Sequence, residues 1–303
     1  MGWRTVVISK PSKISLKNHN FLYSPHESEN IRVPITDISV IVLETHQVTI
    51  TSALLSKLAE LNVLLFSCDK KHTPNGMFTP FHQHSRFSLM VHLQTKWSEP
   101  FKKRLWQKIV IDKISNQSTV LIKTMKNKEA KEIENLSKQV KSGDSSNIEG
   151  SSAKVYWNYL FDDFIRRDVS DWRNSALNYG YSIIRGLITR DLSSSGLIPA
   201  MGIFHKNQLN AFNLADDLIE PFRAFVDLEV YTIKNEEKLP KIHELTIEHR
   251  IKLLELLQMK IYINNEFTSI LNSSSILVNS LVNCTKENDI TLIKLPRFDN
   301  GKI

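Results

Sequence analysis

The sequence predicts an α+β protein: a small N-terminal β-sandwich-like domain over residues 1–80, a linker over 81–97, and a larger all-α domain over 98–303. Three observations carry this reading. The first 80 residues break into short β-branched runs bounded by Asn, Ser and Pro. From Ser88 onward apolar residues recur at helical spacing, and a connector with Lys70, Lys71, Pro74, Gly76 and Pro80 separates the two regimes. A chain of 303 residues can form two ordinary domains, and an apolar fraction of 41% is enough for packed cores.

In the N-terminal part, Trp3–Ile8, Phe21–Tyr23, Ile31–Ile35, Val48–Ile50 and Val63–Phe66 read as strands. Ile38–Leu43 is almost wholly apolar and reads as a central strand. Thr51 or Ser52 can cap a helix through Leu61, with Leu54, Leu55, Leu58 and Leu61 on one side. No catalytic motif lies here, so the expected role is structural or dimer-forming. Residues 70–87 read as a connector. Its His82 and His84 read as exposed loop histidines, because no carboxylate or cysteine is close in sequence.

Ser98-Glu-Pro opens the first long helix, with Ser98 as cap and Pro100 in the first turn. Phe101, Leu105, Ile109 and Ile114 form an inner stripe, and Lys102, Lys103, Arg104 and Lys108 lie mostly off it. The net charge is +7, and residues 81–145 alone carry 13 basic against 6 acidic side chains. Such a run is either a solvated lysine face or a surface that tracks phosphates. Ser146-x-x-Glu149 matches a capping box, which by itself accounts for Glu149. Aromatic Tyr156–Phe164 and then Ala176–Asp191 read as helices, Gly180 allowing tight packing between Tyr179 and Tyr181. Gly196–Gly202 breaks the chain and puts His205 at or near a helix start. Phe222–Ile233 and His243–Ile261 read as further helices, and the tail from Leu292 as peripheral.

The stretch His205–Arg223 concentrates the chemistry. Leu209, Phe212, Leu214, Leu218 and Ile219 recur at roughly helical spacing, which puts Asp217 and Glu220 on one face. Two stacked carboxylates repel unless a cation lies between them, and Pro221 adds a kink at the second. One imidazole with two oxygen anions suits Mg²⁺ or Mn²⁺ better than zinc. The alternative is a solvated acidic face ending at a proline. Cys68 and Cys284 have no metal spacing and fit a reducing cytoplasm. No apolar run reaches membrane-spanning length.

Four motifs stand in a fixed order: Glu149-Gly-x-x-Ala153-x-x-Tyr156-Trp157, Leu177-Asn-Tyr-Gly-Tyr181, Gly196-Leu-x-Pro199-x-x-Gly202-x-x-His205, and Asp217-Leu-Ile-Glu220-Pro-Phe-Arg223. Together they resemble the CRISPR adaptation integrase, the endonuclease family that inserts new spacers into CRISPR arrays. Gly2-Trp-Arg-Thr-Val-Val and Glu-Pro-Phe-Arg resemble its type II-A branch. The resemblance implies a β-rich N-terminal domain and a helical catalytic domain that binds Mg²⁺ or Mn²⁺ through Glu149, His205 and Glu220, with Asp217 as a supporting or alternate ligand. It implies double-stranded DNA as substrate, held by residues such as Lys102, Lys103, Arg104, Lys108 and Arg223. It also implies a homodimer, and a small ferredoxin-like CRISPR protein bridging two dimers in a heterohexamer, with other type II-A adaptation proteins and the effector nuclease as further partners. Ser152, Asp162 and Ala224 depart from the usual residues at their positions. A catalytically inactive DNA-binding scaffold is the alternative function. A small-molecule metallohydrolase is disfavoured by the basic middle segment.

Overall fold

The structure, a computed structural model, describes residues 2–26, 28–80, 87–236 and 244–298. His82, His84 and His243 lie outside the described residues. The chain divides into two compact units, Met1–His84 and Ser85–Ile303.

The first unit holds two four-stranded sheets. Its strands are β1 (Arg4–Ile8), β2 (Ser12–Lys17), β3 (Asn20–Pro25), β4 (Ile31–Pro34), β5 (Ile38–Leu43), β6 (Val48–Ile50), β7 (Leu64–Cys68) and β8 (Pro74–Phe78), and helix α1 (Ser52–Glu60) leads into β7. One sheet has the order β1-β5-β7-β8 and the other β4-β3-β2-β6. All six residues of β5 are buried, and it pairs in parallel with β1 and β7, Ile41 lying opposite Val6 and Leu65. That is what a nearly continuous apolar run requires. Ile8, Ile41 and Leu65 from one sheet meet Ile14 and Phe21 from the other in a single core, closed by Leu54 and Leu58 of α1. Thr51 caps α1 by accepting from the Leu54 N–H. Strand β2 was not visible as an apolar run, because only Ile14 and Leu16 alternate with its polar residues. It is fixed by a two-residue hairpin turn in which Asn18 and His19 both take positive φ. Strand β8 lies in the stretch read as connector.

The second unit is built around one long helix. Its helices are α2 (Phe87–Thr95), α3 (Glu99–Lys123), α4 (Asn127–Ser137), α5 (Ile148–Leu160), α6 (Trp172–Ser194), α7 (Asn213–Leu218), α8 (Arg223–Glu236), α9 (Ile247–Glu255) and α10 (Ile270–Glu287). A small hairpin of β9 (Lys260–Ile263) and β10 (Glu266–Ser269) precedes α10. Ser98 caps α3 and Pro100 sits in its first turn. Helix α2 falls inside the segment read as linker. α3 packs against α4, α5, α7 and α8, which is why it is buried on more than one face. α6 packs against α7, α8, α9 and α10. Among the described residues, no helix is long and apolar enough to cross a membrane.

Two readings of this half are corrected. His243–Ile261 is not one helix: α9 stops at Glu255, and Lys260 begins a strand whose turn is Asn264-Asn265, both at positive φ. The tail is not peripheral. Ile293 and Leu295 are buried, Arg297 pairs with Asp112 at 2.6 Å, and Phe298 lies 4.2 Å from Phe225 between ring centroids.

Gly180 is the close-approach point of α6 and α8. A Cβ built there would lie 2.6 Å from Cγ1 of the buried Val226. Gly180→Ala should therefore lower stability by about 1–3 kcal/mol. Adding Val226→Ala should recover part of that loss, as read by urea unfolding of the whole chain.

Candidate active site

At strict four-residue spacing along α3, Phe101, Leu105 and Ile109 are followed not by Ile114 but by the residue before it, which is not apolar. It is Lys113, whose side chain is 7% exposed. Its Nζ donates to Oε1 of Glu149 and lies 2.5 Å from Oε2 of Glu220. Burial pushes the ammonium down, and the charges of Glu220 and then Glu149 more than reverse this, leaving it above the ordinary lysine value. Asn116 and Gln117, three and four residues further on, share the same side of the helix. Asn116 donates from Nδ2 to the carbonyls of Pro221 (2.8 Å) and Pro296 (2.9 Å). The Gln117 amide oxygen accepts from Ser152 Oγ at 3.4 Å, tying α5 to α3.

Glu149 lies in the first turn of α5, where a carboxylate is favoured by the helix dipole. The capping box with Ser146 does not form. Asn147 takes the left-handed conformation at the N-cap, and Asp144 accepts instead from the N–H groups of Ile148 (2.8 Å) and Glu149 (3.0 Å). Glu149 is thereby free of the capping role. Glu220 is almost fully buried and opens a short 3-10 turn, Glu220–Phe222, forced by Pro221. Burial pushes its carboxyl up, and Arg223 and Lys113 outweigh that and bring it to about 2. Arg223 Nε lies 2.8 Å from Glu220 Oε1, so this guanidinium serves as a counter-charge inside the site.

His205 stands in the loop between α6 and α7, its side chain 40% exposed. The expected helix over His205–Phe212 is absent: α7 begins at Asn213, and Leu209 is 96% exposed. Asparagine side chains take the place of helical bonds. Asn207 Oδ1 accepts from the Leu209 N–H, Asn210 Oδ1 from the Phe212 N–H, and Asn213 Nδ2 donates to the carbonyls of Ala200 and Asn207. Asp217, wholly buried, holds the loop. Its oxygens accept from the N–H groups of Ile203 (2.5 Å), Phe204 (3.1 Å) and His205 (3.1 Å), and from His205 Nδ1 at 2.7 Å. A carboxylate can only accept, so Nδ1 carries the proton, and in the neutral ring Nε2 keeps its lone pair. The same hydrogen bond, acting against burial, raises the imidazole above its ordinary value. Asp217 and Glu220 therefore do not share a helix face. α7 ends at Leu218, and one acid turns to the His205 loop while the other turns to Lys113.

The two halves meet on α3. Trp106 packs edge-on to the His205 ring with centroids 5.9 Å apart, and Lys113 follows about 10 Å further along the same side of the helix. Glu220 also acts electrostatically on His205. Among the described residues, no group of three or more His, Cys, Asp or Glu side chains sits close enough together to hold a metal ion. The Lys113 ammonium stands between the two glutamates instead.

Beside this centre, Asp227 accepts from Tyr156 Oη at 3.0 Å and from Tyr181 Oη. Arg223 lies 4.6 Å above the Tyr181 ring, and with Arg166 and Arg185 it lines a polar cavity of 250 Å³. Of the basic residues expected to meet DNA, Lys103 and Arg104 are exposed, Lys102 is 3.5 Å from Glu99, and Lys108 donates to the Ile290 carbonyl. Sequence reasoning passed over Lys113, Asn116, Gln117 and Asp144. The signal for Lys113 was available, since a lysine in phase with Leu105 and Ile109 must be buried and so must be paired.

Comparison with known proteins places this architecture. Solved structures with the same fold include a CAS1 protein from Thermotoga maritima (TM-score 0.74, 16% identity, 93% of this chain and 97% of that one) and a casposase bound to integration product (TM-score 0.75, 18% identity, 94% and 91%). The family described as CRISPR associated protein Cas1 matches residues 5–256. A curated relative, the CRISPR-associated endonuclease Cas1 of Neisseria meningitidis serogroup C (strain 8013), is 37% identical over 298 residues, covering 98% of this chain and 97% of its own. The chain belongs to the Cas1 family. These comparisons assign the family and do not confirm the II-A branch expected from the sequence motifs.

Burial pushes the Asp227 carboxyl up to about 6, against the two tyrosine hydroxyls. Folding thus favours its protonated form. That contribution to stability is full below about pH 4 and is lost as pH rises through 6. Relative to Asp227→Asn, the wild type should lose up to about 3 kcal/mol between pH 4 and pH 7.5. Paired denaturant melts at the two pH values would measure this, and a constant difference would contradict the assignment.

Proposed function

We propose that this chain is a divalent-metal-dependent DNA endonuclease and integrase of CRISPR adaptation, joining a spacer end to the repeat. The observation that carries the reading is the convergence of Glu149 and Glu220, from separate elements, on one buried cationic point, with an imidazole whose tautomer is fixed by a buried acid within electrostatic reach of Glu220. The donor types suit Mg²⁺ or Mn²⁺, although Lys113 stands where the two glutamates meet and the three side chains are not gathered around one point: two carboxylates that already share a cation, and a ring whose Nε2 keeps its lone pair. Glu149, Glu220 and His205 would hold the ion. When bound it lowers the pKa of a DNA 3′-hydroxyl, or of water, and polarises the scissile phosphodiester.

The protein's own residues do the positioning. Asp217 keeps the proton on Nδ1 of His205, and Arg223 keeps Glu220 ionised. Exposed Lys103 and Arg104 track the DNA backbone without reading its sequence, with Lys102 and Lys108 alongside. In strand transfer, the 3′-oxygen of the spacer forms a bond to phosphorus as the bond to the neighbouring 3′-oxygen of the repeat breaks. The proton lost by the attacking hydroxyl is regained by the leaving one. One P–O bond replaces another, so no nucleotide cofactor is consumed. With water as the attacking group, the product is a nick.

Support for the partners comes from the relatives. One structure of the same fold is a Cas6-RT-Cas1–Cas2 complex, and another is a Cas1–DNA complex. We read this chain as a homodimer that acts on double-stranded DNA in the cytoplasm. It would assemble with a small ferredoxin-like CRISPR protein into a heterohexamer, and with the type II-A adaptation proteins and effector nuclease. One observation favours a second reading, an inactive DNA-binding scaffold: the Lys113 ammonium pairs with both glutamates.

Labelled DNA assayed in Mn²⁺ and in EDTA separates the two. Glu149→Ala and His205→Ala should each abolish strand transfer while DNA binding persists. Full strand transfer by the double alanine variant in chelator would falsify the metal-dependent reading. Lys103→Ala with Arg104→Ala should weaken duplex binding on all sequences alike and reduce the slope of log affinity against log salt by about 2. An unchanged slope would remove these residues from the DNA surface.

A further inference from the structure

Lys113 is the feature that the expected chemistry does not use. Its Nζ contacts one oxygen from each of the two glutamates that the metal reading needs, and it is buried where they converge. We propose that Lys113 is the resident cation of the metal-free centre: it holds Glu149 and Glu220 on one point and gives that point up when a divalent ion binds. This inference rests on the metal-centre reading above.

The argument is electrostatic. Glu220 is almost fully buried, and Glu149 is directed to the same place from another helix. Without positive charge between them, two such carboxylates repel and splay apart. Arg223 cannot fill that role alone, because it reaches only Oε1 of Glu220. Lys113 reaches both acids. The surrounding segments are hydrogen-bonded to the same helix: Asn116 donates to the Pro221 carbonyl beside Glu220, and Gln117 accepts from Ser152 of α5. An ammonium is a compact point charge on a flexible four-carbon stem, so it can withdraw when a stronger cation arrives. An arginine at this position would make a planar fork with both acids and would not yield as readily.

The consequence is competition. The site is kept in shape before metal arrives, and metal affinity is held down by the lysine it must displace. A residue with a merely structural role would lower metal affinity when removed; this one should raise it.

The test uses the whole chain and Mn²⁺ alone, followed by the loss of the free-ion EPR signal, with thermal melts in parallel. Lys113→Met keeps the stem and removes the charge. It should melt roughly 5–10 °C below wild type in EDTA. It should also bind Mn²⁺ about tenfold tighter or better, and saturating Mn²⁺ should return most of the lost melting temperature. Equal or weaker Mn²⁺ binding by this variant, with wild type binding normally, overturns the role of Lys113 and leaves the metal centre standing. Absence of Mn²⁺ binding in both proteins overturns the metal centre itself. Should Lys113→Met fail to fold, the ¹⁵N signal of the Lys113 ammonium in wild type decides. It should be protected from solvent in EDTA and lose that protection in saturating Mg²⁺. Retained protection with Mg²⁺ bound would refute the displacement.

Discussion

A lysine ammonium with almost no water around it has to be met by negative charge, and in this chain the demand is answered by two glutamates brought from different parts of the sequence. Neither side of the arrangement is stable alone. The buried cation without the acids would be unsolvated, and the acids without the cation would repel. The interaction therefore fixes where α5 begins and where the 3-10 turn at Glu220 must lie relative to α3. Asn116 and Gln117, on the same side of that helix, repeat the lesson in neutral form, each holding one of the two glutamate-bearing segments. The helical unit is organised around a polar centre as much as around its apolar core.

The imidazole half is built differently. His205 is carried by an irregular loop and half-exposed, whereas the glutamates are gripped by a helix. Its position depends on one buried carboxylate that collects three backbone N–H groups and the ring N–H together. Gly202 makes this possible. A side chain there would press against the His205 carbonyl and the Asp217 carboxylate. The combination gives one part of the centre that is set by packing and another that is open to solvent.

Much of this was legible from residues alone. The all-apolar Ile38–Leu43 announced a central strand, Ser98 with Pro100 announced a helix start, and the spacing of Asp217, Glu220 and Pro221 announced an acid at a break. What stayed hidden has physical causes. Strands β2, β9 and β10 are short and half-polar, and their true signals were the two-residue turns Asn18-His19 and Asn264-Asn265, which need positive φ at both positions. The stretch after His205 has helical spacing, yet its asparagines satisfy the backbone locally and hold it as a loop. Ser146 and Glu149 match a capping pattern, but Asp144 reaches the same N–H groups first. Lys113 was hidden by habit: a lysine within a basic run reads as surface until its phase with Leu105 and Ile109 is counted.

The docking of Ile293–Phe298 has a practical side. Asn116 takes the Pro296 carbonyl with the same amide that takes the Pro221 carbonyl, and Arg297 pairs with Asp112 one position before Lys113. Residues 293–298 are thus laced to the helix that carries the centre. A shortened version cut before Pro296, or a fusion joined there, would loosen α3 at the level of Lys113 even though the cut lies more than seventy positions from Glu220 in sequence. Protein engineers should treat this strip as part of the working core and place attachments beyond Phe298.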